Sequence, residues 1–180
     1  MMRYVCLLRG INVGGNNMIA MTALKSCLEG AGFDDVVTYI QSGNVLFTPR
    51  KAMTSSALTK KLESVLTSTF NYQATVVVRD RKQMTSVVEQ APKGFGTEPD
   101  LYRYDVTFLK EPLKGTDALT MWPIKEGVDS VWAGPGVIYS SRLAAKATQS
   151  RMNRIVALPI YKSMTIRNWN TTTKLLALMD

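Results

Sequence analysis

The strongest constraint on this chain is the order in which two hydrophobic periodicities alternate along its first half. Residues 4–9 form a short apolar run of strand type. Leu24, Cys27, Leu28 and Ala31 then follow the i, i+3, i+4, i+7 spacing of a helix face, with Thr22 placed to cap it and Gly32 to close it. Two runs rich in β-branched and aromatic residues, 36–40 and 44–48, flank Gln41, Ser42 and Gly43, the composition of a hairpin tip. Leu58, Leu62, Val65, Leu66 and Phe70 give a second helix face begun by Ser55 or Ser56, and the valine-rich stretch 75–79 a fourth strand. The order βαββαβ is then complete, and it predicts an antiparallel sheet of ferredoxin-like type with helices packed on it.

Asp80 with Gln83 three residues on predicts a further helix carrying Met84, Val87, Val88 and Ala91, stopped by Pro92. The Pro- and Gly-rich stretch 92–99 reads as a linker. The same order of elements then recurs: strand 104–109, helix 116–122, strand 129–133, a turn at Gly134, Pro135 and Gly136, strand 137–141, a longer helix over 144–158 ended by Pro159, strand 163–167 and a final helix from about Asn170. The fold class expected is therefore α+β, two tandem βαββαβ halves with antiparallel sheets: 1–91 with its connector helix, the linker 92–99, and 100–180.

Chemistry is bounded mainly by what is missing. The chain has no histidine, which removes the commonest general base, the commonest metal ligand and any Ser-His-Asp arrangement. Cys6 and Cys27 are the only cysteines, one on a strand and one on a helix face, so the reading is two reduced core residues, no metal site and a cytoplasmic location. The apolar run before Arg9 is too short for a signal-peptide core, and nothing later is long enough to span a membrane. The net charge of +8 is uneven, because no acidic residue falls between Asp129 and Asp180. Lys146, Arg151 and Arg154, on one side of the expected 144–158 helix, form a basic face that is either simply solvated or a phosphate contact.

Three polar segments stand out. Gly10 and Gly15 have the spacing of a phosphate loop, but Asn16 and Asn17 stand where Lys and Ser/Thr would have to be, so the P-loop reading fails. What survives is a glycine-permitted curve of backbone N–H donors beside Arg9, Asn12 and Asn16, able to cradle an anion or serving only to shape a long connection. Strand direction places the Gln41, Ser42, Gly43, Asn44 hairpin tip and the 71–73 connection at the same end as that loop. Arg167, Asn168, Trp169 and Asn170, before three threonines that are poor helix formers, make a polar cluster with an aromatic wall, or else cap and pack.

The blocks Leu8-Arg9-Gly10-Ile11-Asn12-Val13-Gly14-Gly15, Tyr39-Ile40-Gln41-Ser42-Gly43-Asn44-Val45 and Arg167-Asn168-Trp169-Asn170-Thr171 resemble the signature of the bacterial family DUF1697, a domain of unknown function. The resemblance implies a tandem alpha-beta-plait fold in cytosolic proteins and implies no activity. Asn16 departs from it, standing where many relatives carry lysine.

The function expected is binding of a small anionic or nucleotide-like ligand by Arg9, Asn12, Gly14, Gly15, Asn16, Gln41, Ser42, Asn44, Arg167, Asn168 and Asn170. Arg9 and Arg167 would supply charge, and the three blocks would converge. As residues outside the core, Asn12 and Arg167 are expected to tolerate alanine at a cost of no more than about 0.5–1 kcal/mol. No cofactor or catalytic residue is assigned. The alternatives are nucleic-acid binding, weak and salt-labile because residues 44–48 offer a single aromatic for stacking, an enzyme of histidine-free acid–base chemistry, and a structural or dimerising role.

Overall fold

The computed structural model describes residues 1–180. Its elements are β1 (Tyr4–Leu8), α1 (Met21–Gly30), β2 (Phe33–Tyr39), β3 (Asn44–Pro49), α2 (Ser55–Phe70), β4 (Val76–Asp80), α3 (Arg81–Glu89), β5 (Tyr102–Leu109), α4 (Gly115–Leu119), β6 (Asp129–Gly134), β7 (Val137–Leu143), β8 (Met164–Asn168) and α5 (Trp169–Ala177). Two antiparallel four-stranded sheets result, ordered β2-β3-β1-β4 and β6-β7-β5-β8. These are the same order, with the first strand of each set in the middle and its last at an edge. That is the α+β, βαββαβ pattern expected from the alternating periodicities.

By their contacts the residues divide into one unit of Met1–Met84 with Leu175–Asp180 and another of Thr85–Lys174. In the first, Cys6, Leu8, Val45, Phe47, Val76 and Val78 pack with Leu24, Leu28, Leu58, Leu62 and Leu66. Sheet residues and the i, i+4 faces of α1 and α2 thus close one core. The alternate residues of β1, Val5 and Leu7, are equally buried, so this strand is covered on both faces. In the second unit, Leu109, Ile138 and Met164 pack with Ala118, Trp122 and Ile155.

Local chemistry explains most element ends. Thr54, rather than Ser55 or Ser56, caps α2, its Oγ1 accepting the Ala57 N–H at 3.2 Å. Asn71 ends that helix in the left-handed region at φ 52. Asp80 and Gln83 exchange hydrogen bonds of 2.9 and 2.7 Å between side chain and main chain, a capping box at the start of α3. Thr22 does not cap α1, which begins at Met21 after an extended Ala20 with no side-chain cap.

The single helix expected over 144–158 is instead two 3₁₀ segments, Ala144–Gln149 and Met152–Ala157. In a continuous helix the Arg151 and Met152 N–H groups would bond back to carbonyls. Here Asp129 Oδ2 takes the first at 3.0 Å and Ser150 Oγ the second at 3.1 Å, with Ser150 extended between them. A buried carboxylate has outcompeted helix propagation. Lys146, Arg151 and Arg154 are exposed on separate segments, so no continuous basic helix face exists.

The stretch 92–99 reads in the sequence as a linker. This stretch packs inside the second unit, and Phe95 is buried with its ring set edge-on to Tyr104, Tyr139, Trp169 and Trp132 at 4.9, 5.5, 5.1 and 6.1 Å. By contacts the boundary falls between Met84 and Thr85.

Candidate functional site

The first two signature segments meet, as strand direction requires. Leu8 N–H donates to Gly43 O at 2.8 Å and Arg9 N–H to Thr75 O at 3.0 Å, joining the end of β1 to the β2–β3 tip and to the start of β4. Gly43 lies so close to Ile11 and Leu8 that a Cβ there would approach them within 2.9 Å, and its φ is +81°, so the contact requires glycine.

The 10–17 loop is a miniature hairpin. Asn16 N–H donates to Val13 O at 3.0 Å and Asn12 N–H to Asn17 O at 3.2 Å, while Gly14 and Gly15 both have positive φ, the I′ pattern. Gly14, Gly15 and Asn16 are exposed at its tip. The asparagine amides bond mostly to backbone. Asn12 Nδ2 donates to Ile19 O at 3.0 Å and to Gln41 O at 2.9 Å, and its Oδ1 accepts Ile19 N–H at 2.7 Å. Asn44, fully buried, donates to Tyr39 O at 2.9 Å and Ser42 Oγ at 3.0 Å. An asparagine amide mimics a peptide group, which is why these residues hold left-handed turns together.

The third segment belongs to the second unit. Asn168 Oδ1 caps α5 by accepting Thr171 N–H at 2.8 Å. Asn168, Trp169 and Asn170 then line a cavity of about 180 Å³ with Gly96, Arg103, Tyr104 and Asp105. Gly96 is required there, since a Cβ would fall 2.2 Å from Trp169 Cδ1. Arg167 is not part of this wall. It pairs with Val106, one residue off the face carrying Asn168, and is buried, its guanidinium donating to Thr165 Oγ1 at 2.7 Å and Ile166 O at 2.8 Å. Arg103, exposed at the cavity, is the cation there.

Arg103 and Asp105 were not anticipated. The signal was present: Arg103, Asp105 and Thr107 are polar at alternate positions of a strand, and Asp is depleted from strand centres. Burial pushes the Asp105 carboxyl above its ordinary value, with the Arg142 charge pulling the other way. A raised folded-state value means that ionisation costs stability, a loss absent well below the ordinary carboxyl range and incurred as pH rises through the folded value. Asp105→Asn should therefore raise Tm at pH 7, with the gain shrinking to nothing below about pH 3.5, in thermal melts across that range.

The other face of the same sheet bears on nucleic-acid binding. Tyr104 and Tyr139, on the two central strands, and Trp132 beside them form the kind of aromatic face on which single-stranded bases stack. The chain's own Phe95 fills it. Tyr139 is fixed further by donating to Val87 O at 2.6 Å, and burial pushes its hydroxyl up to about 12.

Two antiparallel ferredoxin-like sheets of one strand order, with a small polar cavity at a helix start, define the class of protein. The family model described as Protein of unknown function (DUF1697) matches residues 1–139, and the chain belongs to that family. Among solved structures it is similar to conserved bacterial protein SP0830 from Streptococcus pneumoniae, with a TM-score of 0.85 and 26% identity over 99% of each chain. No curated protein matches it. No helix is long and apolar enough to cross a membrane.

Proposed function

We propose that this protein binds a small anion at the cavity where Asn168, Trp169 and Asn170 meet the start of β5. The observation that carries the reading is the composition of that cavity: a helix start, two asparagine side chains, an indole wall and the exposed Arg103 around about 180 Å³, with Asp105 the one carboxyl in the lining. Helix N-termini favour negative charge, and asparagine amides orient it. At about 30 Å³ per water-sized group, the space takes roughly six such groups, enough for a phosphate or carboxylate head. A nucleotide would hold only its phosphate there. With Cys6 and Cys27 as free thiols, the working compartment we propose is the cytoplasm.

The test is a titration with inorganic phosphate at constant ionic strength, followed by backbone amide shifts. Saturable shifts at Trp169 and Asn170, weakened at least about tenfold by Asn170→Ala or Arg103→Ala, are expected. Small unsaturable shifts spread over surface lysines would rule the site out.

A further inference from the structure

We infer that the second unit holds a separate pocket for a small amphipathic zwitterion, an α-amino acid with an apolar side chain, between the β5–β7–β8 face and the 3₁₀ segments. A cavity of about 290 Å³ is lined there by Asp105, Thr107, Ser140 and Arg142 from the sheet and by Trp122, Met152, Ile155, Val156, Tyr161 and Ile166 around them. Its walls are of two kinds. The sheet supplies the charged and hydroxyl groups together with Ile166, and the flanking segments are apolar apart from Asn153, an arrangement that suits a ligand with a charged head and an apolar tail.

Ser140 Oγ donates to Asp105 O at 3.4 Å, but the charged groups and the indole lack the partners that a purely structural cluster would give them. Asp105 pairs directly with Ser140 on the ladder, so Arg142, two residues on, is its diagonal neighbour, about 7–8 Å away between Cα atoms. Arg142 also stands directly opposite Asp129. It closes an ion pair with neither, and its Nε is buried without a partner. Asp129 Oδ2 accepts the Lys125 and Arg151 N–H groups, and its Oδ1 is buried without a partner. Trp122 is 93% buried as read from its 7% exposure, yet its Nε1–H reaches no acceptor. Each such group costs free energy unless something fills the space between them.

An α-amino acid answers each one. Its ammonium supplies the cation that Asp105 lacks, its carboxylate the anion that Arg142 lacks and an acceptor for the indole N–H, and its side chain covers Met152, Ile155 and the exposed Val156 and Ile166. Size fits as well. At about 30 Å³ per water-sized group the cavity takes roughly ten, the bulk of leucine or methionine and too little for a nucleotide. Asp105 is shared with the anion cavity, but Arg142 and Ile166 are not, so the two readings fail separately.

The experiment is calorimetric titration of the full chain with L-leucine, with isocaproate, isoamylamine and glycine as probes lacking one charge, the other charge or the apolar tail. L-leucine should bind saturably and each of the others at least about tenfold more weakly. Arg142→Gln should weaken L-leucine at least about tenfold while leaving isoamylamine unchanged, and Asp105→Asn should weaken it while leaving isocaproate unchanged. Ile166→Trp fills the pocket from its rim without touching a charge and should abolish binding, which keeps the test decisive if a polar variant fails to fold. No saturable L-leucine binding up to about 10 mM, equal affinity for isocaproate, or unchanged affinity in Ile166→Trp would overturn the assignment.

Discussion

Phe95→Ala is expected to destabilise the protein by about 3–5 kcal/mol, the cost of removing a buried aromatic side chain and leaving a cavity. For a chain of this length that corresponds to a fall in Tm on the order of 10 °C. The size of the effect follows from the packing: one ring holds Tyr104, Tyr139, Trp132 and Trp169 edge-on, so its loss frees Tyr104 and Trp169 in the wall of the 180 Å³ cavity as well as the sheet face. Urea denaturation followed by tryptophan fluorescence measures it. A loss below about 1 kcal/mol would mean that 92–99 is a passive connection after all.

Asn12→Ala should cost about 2–3 kcal/mol, well above the 0.5–1 kcal/mol that its polar, loop-like sequence suggests. Three hydrogen bonds disappear at about 0.5–1.5 kcal/mol each, Ile19 N–H and two carbonyls lose their partner, and alanine must adopt the left-handed φ of 52°. Asn12→Asp separates these terms, keeping the acceptor for Ile19 N–H while removing both donors. Hydrogen exchange at the Ile19 amide reads the difference: faster exchange in Asn12→Ala than in Asn12→Asp is expected, and equal protection in both variants would locate the loss elsewhere.

The strands were legible because short runs of β-branched and aromatic residues bounded by turn residues have few alternatives, and α3 because Asp80 and Gln83 are a capping box in sequence as in space. The 144–158 segment was not, because what breaks it is Asp129, far back in the chain and brought to it only by folding. Phe95 was hidden by its neighbours: a lone aromatic among glycines and prolines carries no period, so nothing in the local pattern announces burial. Of the proposed site residues, those read as ligand-orienting amides were chosen for being asparagines in turns. Asn12 is in a turn and Asn44 opens β3, and the amides of both bond to backbone carbonyls. Arg167 offered a charge, and the structure uses it inside the fold. Asp105 and Arg142 are related by a diagonal across two strands, a relation no window of sequence contains.

The central position of β1 also shapes how the chain must be made. Its neighbours in the sheet are β3 and β4, both later in the chain, and β4 ends only at Asp80. At about 5–20 residues per second of synthesis, the five apolar residues Tyr4–Leu8 wait roughly 4–14 s before the second of their sheet partners exists. Through that interval the segment has two apolar faces and two unpaired edges, the profile of an aggregation nucleus. Arg3 and Arg9 bracket it, one charge on each side, where gatekeeper residues are placed to keep such a segment from pairing with its neighbours on the polysome.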